Sequence, residues 1–186
     1  MLSRDIKSKR GFTLIELMVT VIIIGVLATL SVYGVRKYVF SSKTTEAIHM
    51  IGSIKSAEEA YRAETFVYVG KATGIDSVAY FPRDPGRMKT DWNLTTHADY
   101  ATVWGPLGVQ SDSPVIFGYA IAVGNGSALG AAPSDCTNVT WGARGANNTG
   151  PWYIVKAEAD QNGDGKKSCF TSCNLSGEIF SANESE

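Results

Sequence analysis

The sequence predicts an α+β protein in which one long N-terminal helix packs against a small antiparallel β-sheet. Two observations predict this fold. The first is an apolar segment from Phe12 to Val35, followed by a helical pattern of apolar residues with no proline before Pro82. The second is a set of short β-rich segments within residues 114–186. A helix followed by clustered strands is typical of the α+β class.

The apolar segment is long enough to cross a membrane. It holds 24 residues, from Phe12 to Val35, and Glu16 is its only charged residue. A helix of this length spans roughly 36 Å, and a bilayer core needs about 20 apolar residues. The basic residues that precede it favour a cytoplasmic N-terminus and a body outside the cytoplasm: Arg4, Lys7, Lys9 and Arg10. A plain signal anchor explains these bases and the length, but it does not explain Glu16.

The helix is expected to continue as an amphipathic segment over residues 36–65. Apolar residues recur there at spacings of three and four, which marks one face of a helix: Ala47, Met50, Ile54, Ala57 and Tyr61. Ile48 and Ile51 widen this stripe. Charged residues such as Lys55 and Glu58 are expected to fall largely on the other faces.

Residues 66–113 are predicted to form a connecting region with short elements, because the turn signals FPRDPG and WGPLG interrupt it. Residues 114–186 are predicted to form the antiparallel sheet and a C-terminal loop. Four segments there are rich in β-forming residues: SPVIFGYAIAVGNG, the stretch from about Trp152 to Ala159, SCFTSCN and GEIFSAN. The hidden face of the sheet is expected to cover the apolar stripe of the helix.

The stretch KRGFTLIELMVTVIIIGVL closely resembles the N-terminus of type IV prepilins and of the related type II secretion pseudopilins. In that family a short basic leader ends in Gly, and Phe-Thr-Leu-Ile-Glu-Leu then opens an apolar helix. The resemblance covers about residues 7–35 and implies a pilin-like fold for residues 36–186. It also implies that residues 1–11 are a leader, that prepilin peptidase cuts between Gly11 and Phe12, and that Phe12 is then N-methylated.

The same resemblance implies that Glu16 acts in assembly. A carboxylate in lipid carries a free-energy cost, and in the family this glutamate pairs with the N-terminal amine of a neighbouring subunit. Such pairing would fix the axial register between subunits, because an unpaired charge in an apolar bundle is expensive. The alternative is an acid that snorkels to the membrane interface. Thr13 is also family-like, and its hydroxyl is suited to cap the helix.

Three cysteines predict a disulfide: Cys136, Cys169 and Cys173. A body outside the cytoplasm lies in an oxidising compartment, where one bridge is expected and one thiol is left over. Cys136 with either Cys169 or Cys173 would staple the C-terminal loop, and pilins often have such a disulfide-bounded region. A local bridge between Cys169 and Cys173 is the alternative.

The stretch DQNGDGKKS is similar to the start of a calcium-binding loop. Asp160, Asn162 and Asp164 stand at alternate positions, a glycine follows at the sixth position, and Ser168 falls at the ninth. The twelfth position is Thr171 rather than glutamate, so a full EF-hand is not expected. Some pilins and pseudopilins carry calcium in their C-terminal loops. The alternative is a polar hairpin turn built from Asn-Gly and Asp-Gly.

No catalytic set emerges from the sequence, so a non-enzymatic protein that requires no cofactor is expected, with a structural calcium ion as the one candidate ligand. His49 and His97 lie far apart, and no glycine-rich phosphate loop follows a strand. After residue 11 the chain carries 13 basic and 17 acidic residues. Nucleic acid is therefore not an expected partner, because nonspecific binding to it requires a basic surface.

These features predict a structural subunit of a type IV pilus, which serves surface adhesion or motility. The subunit would wait in the inner membrane with a periplasmic domain until prepilin peptidase processes it. The inner-membrane assembly machinery would then polymerise it, with itself or with other pilins, into an extracellular filament. The alternatives are a type II secretion pseudopilin, a minor pilin that primes assembly, and a membrane-tethered binding or enzymatic domain.

Overall fold

The computed structural model of the chain describes residues 11–92, 95–137, 139–141 and 145–184. Within these ranges, one long helix precedes one four-stranded antiparallel sheet, which confirms the predicted α+β class. The helix is α1, Leu14–Thr65. The strands pair in chain order and are β1 Gly118–Gly124, β2 Trp152–Ala159, β3 Ser168–Cys173 and β4 Phe180–Ala182.

The chain divides into two compact units, one that ends at Val39 and one that begins at Phe40. The described part of the first unit is mainly the apolar portion of α1, whose large hydrophobic side chains are each at least 44% exposed. The hydroxyls of Thr20, Thr29 and Ser31 donate to carbonyl oxygens of the same helix at 2.7 to 2.8 Å. Because these polar groups are satisfied within the helix, the segment suits a hydrocarbon environment. Its length and composition also qualify it as a candidate membrane span.

In the second unit, one face of α1 packs against the inner face of the sheet. The helix contributes the fully or almost fully buried side chains of Ala47, Met50, Ile51 and Ile54. They share a core cluster with alternate residues of β2, namely Tyr153, Val155, Ala157 and Ala159. Alternate residues of a strand point to the same face, which is why one set from β2 meets the helix. Each fully buried aliphatic or aromatic side chain contributes about 1.5–3 kcal/mol.

The buried face of α1 differs from the predicted stripe at three positions. Ile48 is 43% exposed rather than buried. Glu58 is fully buried, and its Oε2 accepts a hydrogen bond from the N–H of Val69 at 3.0 Å. Lys55 is half-buried, and its Nζ donates to the carbonyl oxygen of Ser176 at 2.7 Å. The physical reason is that irregular segments cross the helix here, and their backbone groups need partners that a purely apolar face would not offer.

The outer face of the sheet is covered as well, so β2 is buried along its whole length. Ile75, Val78 and Leu129 form a second core cluster there with Trp152 and Ile154 of β2. The sequence predicted only one hidden face of the sheet. The difference arises because the connecting region and the segment after β1 fold back over the strands.

The connecting region contains the short elements that its length predicted. They are a 3₁₀ turn at Ile75–Ser77, a π-helical turn at Tyr100–Trp104 and a short helix α2 at Gly105–Leu107. Its aromatic side chains gather around the fully buried Phe81, which stacks on Trp104 at 4.9 Å between ring centroids. Backbone bridges from Phe81 to Tyr119 and from Thr90 to Val115 tie the region to β1 and to the residues just before it.

The C-terminal end of α1 adopts a backbone conformation that is unusual for an aromatic residue. Phe66 has a φ of 64°, and its N–H donates to the carbonyl oxygen of Arg62 at 2.8 Å. This is the left-handed cap that glycine most often occupies, and it costs other residues roughly 1–2 kcal/mol. The Phe66 side chain is 83% exposed, so little packing within the subunit offsets this cost.

The buried carboxyl of Glu58 predicts a pH-dependent stability. Burial raises the pKa of Glu58 to about 8, the hydrogen bond from Val69 works against this rise, and the charge of Glu59 adds to it. Between pH 4.5 and about 8 the unfolded chain loses this proton while the folded chain keeps it. The free energy of unfolding should therefore fall with rising pH, by at most about 1.4 kcal/mol per pH unit from this site.

Glu58→Gln removes this titration and keeps an oxygen that can accept from Val69. Urea unfolding of the detergent-solubilised full chain should show the variant gaining stability over the wild type as the pH rises from 4.5 to 8. The exposed Glu64→Gln serves as the matched control and should track the wild type. A constant difference between Glu58→Gln and the wild type across this range would contradict the prediction.

Candidate functional site

The residues at the predicted processing point are exposed. Gly11, Phe12 and Thr13 precede the helix, which begins at Leu14. Phe12 is 86% exposed. Apart from the chain neighbours of Gly11, no heavy atom of the described residues lies within 4 Å of the position that a Cβ on Gly11 would take. Within the described part of the chain, Gly11 and Phe12 are both exposed, which leaves the peptide bond between them accessible. The predicted leader lies outside the described residues, apart from Gly11 itself.

Thr13 and Glu16 form a reciprocal capping box at the start of α1. Glu16 Oε2 accepts from the backbone N–H of Thr13 at 2.9 Å and from the Thr13 hydroxyl at 2.7 Å. In return, the N–H of Glu16 donates to Thr13 Oγ1 at 3.3 Å. This pattern satisfies two backbone donors at the helix start. The sequence indicated a cap at Thr13, whereas the local partner of the Glu16 carboxylate emerges only from the structure.

This position stabilises a negative charge in an otherwise apolar segment. The Thr13 donors contact the carboxylate directly, and the positive end of the helix dipole also favours an anion in the first turn. A carboxylate has about four acceptor sites, so the bonds from Thr13 leave capacity for a further donor. A cut after Gly11 would create an amine at Phe12, four residues before Glu16 in the same sequence. The geometry thus combines an accessible peptide bond, a capped helix start and a Glu16 carboxylate that can accept a further hydrogen bond.

One of the predicted cysteine pairings is present in the domain. Cys136 and Cys169 form a disulfide with their Cα atoms 5.5 Å apart, while Cys173 is free and buried. The bond spans 33 positions and contributes about 3–4 kcal/mol in the chain-entropy model. The local alternative fails because Cys169 and Cys173 are four residues apart on β3, which is about 13 Å in a strand. That separation exceeds the reach of a disulfide.

In the segment that resembles a calcium loop, side-chain oxygens accept hydrogen bonds from backbone N–H groups of the same segment. The carboxylate of Asp160 accepts from the N–H groups of Gly163 at 2.6 Å and Gly165 at 3.1 Å. Asn162 Oδ1 accepts from the N–H of Asp164 at 2.8 Å. These bonds shape the hairpin between β2 and β3, and both glycines have positive φ, of 83° and 90°.

The fourth predicted calcium ligand is Ser168, and its hydroxyl forms hydrogen bonds within the protein. The Ser168 hydroxyl lies buried at the start of β3, where it accepts from Gln161 Nε2 at 2.8 Å and donates to the carbonyl oxygen of Ala159 at 3.1 Å. Among the described residues, no group of three or more His, Cys, Asp or Glu side chains is arranged to hold a metal ion. Calcium in this loop stays a prediction, and Asp160, Asn162 and Asp164 are the residues that would have to supply its ligands.

A buried lysine joins several carboxylates on the outer face of the sheet, and the sequence analysis did not identify it. Lys156 is 1% exposed, and its Nζ lies 2.6 Å from Glu158 Oε1 on the same strand. The carboxylates of Asp76 and Asp135 lie 3.1 and 3.3 Å away. Burial opposes the charge of Lys156, but interactions with Glu158 and Tyr80 outweigh it and raise the pKa of the lysine. The charged lysine thus ties two loop segments to the strand.

A signal for this cluster is visible in the strand sequence WYIVKAEA. Lys156 and Glu158 alternate with apolar residues on both sides, which places the two charges on one face of a strand. Breaking a buried ion pair by removing one partner costs about 3–5 kcal/mol. We assign the cluster a role in holding the domain together, because each of its members is engaged by another charged or polar group.

Comparison with known proteins supports the predicted resemblance of the N-terminal segment to type IV prepilins. Residues 6–32 match the model of the prokaryotic N-terminal methylation motif. The chain is 34% identical over 87 residues to the type II secretion system core protein G of Pseudomonas aeruginosa, which covers 47% of this chain and 61% of that protein. It is 36% identical over 108 residues to the type IV major fimbrial protein FimA of Dichelobacter nodosus, which covers 58% of this chain and 64% of that protein.

A fimbrial protein of Pseudomonas aeruginosa is 37% identical over 71 residues, which covers 38% of this chain and 46% of that protein. The matches with these three relatives thus span less than two thirds of the relatives' own lengths. No solved structure is significantly similar to the chain. The methylation motif, its position at the start of an apolar helix, and the sheet that covers the later part of that helix support the similarity of this chain to type IV pilins and type II secretion pseudopilins.

Proposed function

We propose that this chain is a structural subunit of a type IV pilus filament. The observation that carries the proposal is the apolar surface of α1 from Leu14 to Val35, which is exposed on all sides of the helix and interrupted by one capped carboxylate. Such a surface requires lipid or other apolar helices around it. A filament core of packed helices supplies the second of these environments without exposing the surface to water.

Processing at the exposed bond between Gly11 and Phe12 would precede assembly. Prepilin peptidase would cut this bond on the cytoplasmic side and the new amine at Phe12 would be methylated. The subunit waits in the inner membrane with its second unit in the periplasm. The apolar helix then exchanges lipid for neighbouring helices, and close packing rather than hydrophobic burial drives that exchange.

Glu16 would change its environment during this exchange while keeping its negative charge. In the single subunit, Thr13 donates two hydrogen bonds to Glu16. In the filament, the amine of Phe12 from a neighbouring subunit would occupy the remaining acceptor capacity of the carboxylate. A pair of opposite charges in an apolar bundle fixes the axial register, because any slip leaves both charges unpaired.

A type II secretion pseudopilin is the second candidate function, because protein G of that system is among the relatives. Both candidates share processing and assembly and differ in where the filament ends. A pilus subunit would place its second unit on an extracellular surface that governs adhesion or motility. A pseudopilin, or a minor pilin that primes assembly, would be processed but would remain mainly in the cell envelope.

Mass spectrometry of sheared surface filaments tests the proposal. We expect a peptide that begins at N-methylated Phe12 to be abundant in the sheared fraction. Processed protein that is confined to the envelope would instead assign the chain to the pseudopilin or minor-pilin role. An uncut bond between Gly11 and Phe12 in cells would contradict both roles and favour a membrane-tethered binding or enzymatic domain.

Two substitutions of Glu16 separate its capping role from its charge. Glu16→Gln keeps an oxygen that can accept from Thr13 but cannot neutralise an amine, whereas Glu16→Ala removes both interactions. Both variants should insert in the membrane at wild-type levels and fail to form filaments, which is measured by membrane fractionation and by filament yield. Thr20→Ala is the matched control in the same helix and should assemble normally. Wild-type filament yield from Glu16→Gln would contradict the proposed charge pairing.

Calcium binding can be tested on the same loop. If Asp160, Asn162 and Asp164 bind calcium, a chelator should lower the melting temperature of the detergent-solubilised chain, and added calcium should restore it. In Asp160→Asn/Asp164→Asn, where both carboxylates are replaced by neutral amides, melting should no longer respond to chelator. Identical melting of the wild type with and without chelator would exclude a structural calcium ion.

A further inference from the structure

Two basic residues follow directly on the exposed apolar segment of α1. Arg36 and Lys37 come immediately after Val35, and both side chains are exposed. No acidic residue lies between Glu16 and Glu46 in the sequence. On a helix, a side chain interacts with those three or four positions away, so α1 offers Arg36 and Lys37 no carboxylate within reach. The helix that carries these two charges therefore does not supply their counter-ion.

Tyr33 lies on the same face of α1 as the two bases. It precedes Arg36 by three positions and Lys37 by four, and this spacing places the three side chains next to one another on the helix surface. Tyr33 is 73% exposed. All three residues belong to the compact unit that ends at Val39. We call Tyr33, Arg36 and Lys37 the basic face.

The basic face lies at the depth where a bilayer changes from hydrocarbon to headgroups. The helix begins at Leu14, and Arg36 lies about 33 Å further along the helix axis at a rise of about 1.5 Å per residue. The hydrocarbon core of a bilayer is about 30 Å thick. A span that begins at Leu14 therefore carries both bases just past the far edge of that core. Tyrosine is enriched at this level, because its ring is apolar and its hydroxyl is polar.

The charge of the basic face requires a negative partner at this surface. Cytoplasmic flanks of membrane helices usually carry the excess of Lys and Arg, whereas in the proposed orientation Arg36 and Lys37 lie on the opposite side. The phosphate groups of anionic lipids supply the complementary charge. A guanidinium binds phosphate through two parallel hydrogen bonds, an ammonium adds a compact charge with three donors, and the Tyr33 hydroxyl is a further donor.

We propose that the basic face binds the phosphate headgroups of anionic phospholipids while the subunit resides in the membrane. The contact would hold the helix at one depth, because a shift toward the cytoplasm would carry two charges into hydrocarbon. It would be released when the apolar helix leaves lipid during assembly. The inference rests on the membrane-resident stage of the proposed function and adds a lipid class to the partners of that stage.

A fluorescent reporter beside the basic face measures which lipids surround it. Tyr38 is 77% exposed, and the thiol of Tyr38→Cys can be labelled selectively because the free thiol of Cys173 is buried. The labelled full chain is reconstituted in vesicles of equal parts phosphatidylglycerol and phosphatidylcholine, with bromine on the acyl chains of one lipid or of the other. Bromine quenches fluorescence only at short range. We expect brominated phosphatidylglycerol to quench more strongly than brominated phosphatidylcholine.

Charge variants of the labelled chain test whether the two bases cause this preference. Arg36→Gln/Lys37→Gln should lower the preference for phosphatidylglycerol about fivefold or more, since each base near an anionic surface contributes about this factor. Arg36→Lys/Lys37→Arg keeps both charges and should retain the preference. Lys9→Gln/Arg10→Gln is the matched control, because it removes two bases from the other end of the apolar segment. Its quenching should match the wild type.

The outcomes separate this inference from the proposed function. Equal quenching by the two lipids in the wild type, or a preference that survives Arg36→Gln/Lys37→Gln, would overturn the lipid contact, while sheared filaments with methylated Phe12 would keep the pilus role. Equal quenching together with loss of filaments in that variant would assign the basic face to carboxylates of a neighbouring subunit and also overturn the contact. A preference that depends on the two bases, in a chain that is absent from sheared filaments, would support the contact and overturn the pilus role.

Discussion

The fold depends on how the apolar side chains of α1 are shielded from water. As far as Val35 these side chains cover all sides of the helix and remain exposed, so they require an apolar environment that the described chain does not supply. From Ala47 to Ile54 they are confined to one face, and the sheet covers it. A helix that is apolar all round belongs in a protein core or in lipid, whereas a one-sided helix belongs at the edge of a domain. This change of pattern within one helix separates the exposed apolar segment from the folded domain.

Polar side chains on α1 form hydrogen bonds with backbone groups of the segments that cross the helix. Glu46 Oε1 accepts from the N–H of Ile116 at 2.8 Å, and Glu58 accepts from Val69 at 3.0 Å. Lys55 donates to the carbonyl oxygen of Ser176 at 2.7 Å. These contacts explain how irregular segments can lie against a helix without burying unsatisfied backbone groups. The Thr13–Glu16 box applies the same principle at the helix start, where the apolar segment leaves few other partners.

The Cys136–Cys169 disulfide and the Lys156 cluster hold the outer layer of the domain. The disulfide joins the segment after β1 to β3, and Lys156 joins Asp76 and Asp135 to β2. Short irregular segments bury little apolar surface and lose much conformational entropy when they fold. A covalent link and a buried charge cluster therefore stabilise this layer where strand pairing is absent. The connecting region packs around Phe81 and Trp104.

The sequence by itself determined the apolar helix, the N-terminal methylation motif, the position of β2 and the α+β class, because each depends on local periodicity or on a contiguous motif. It also limited the disulfide to three pairings. Only the tertiary structure decided which cysteine remains free, that Glu58 and Lys156 are buried, and that Phe66 adopts a left-handed conformation with its side chain exposed. The physical reason is that burial and pairing depend on which distant segments cross a residue. Periodicity along one element carries no information about those crossings.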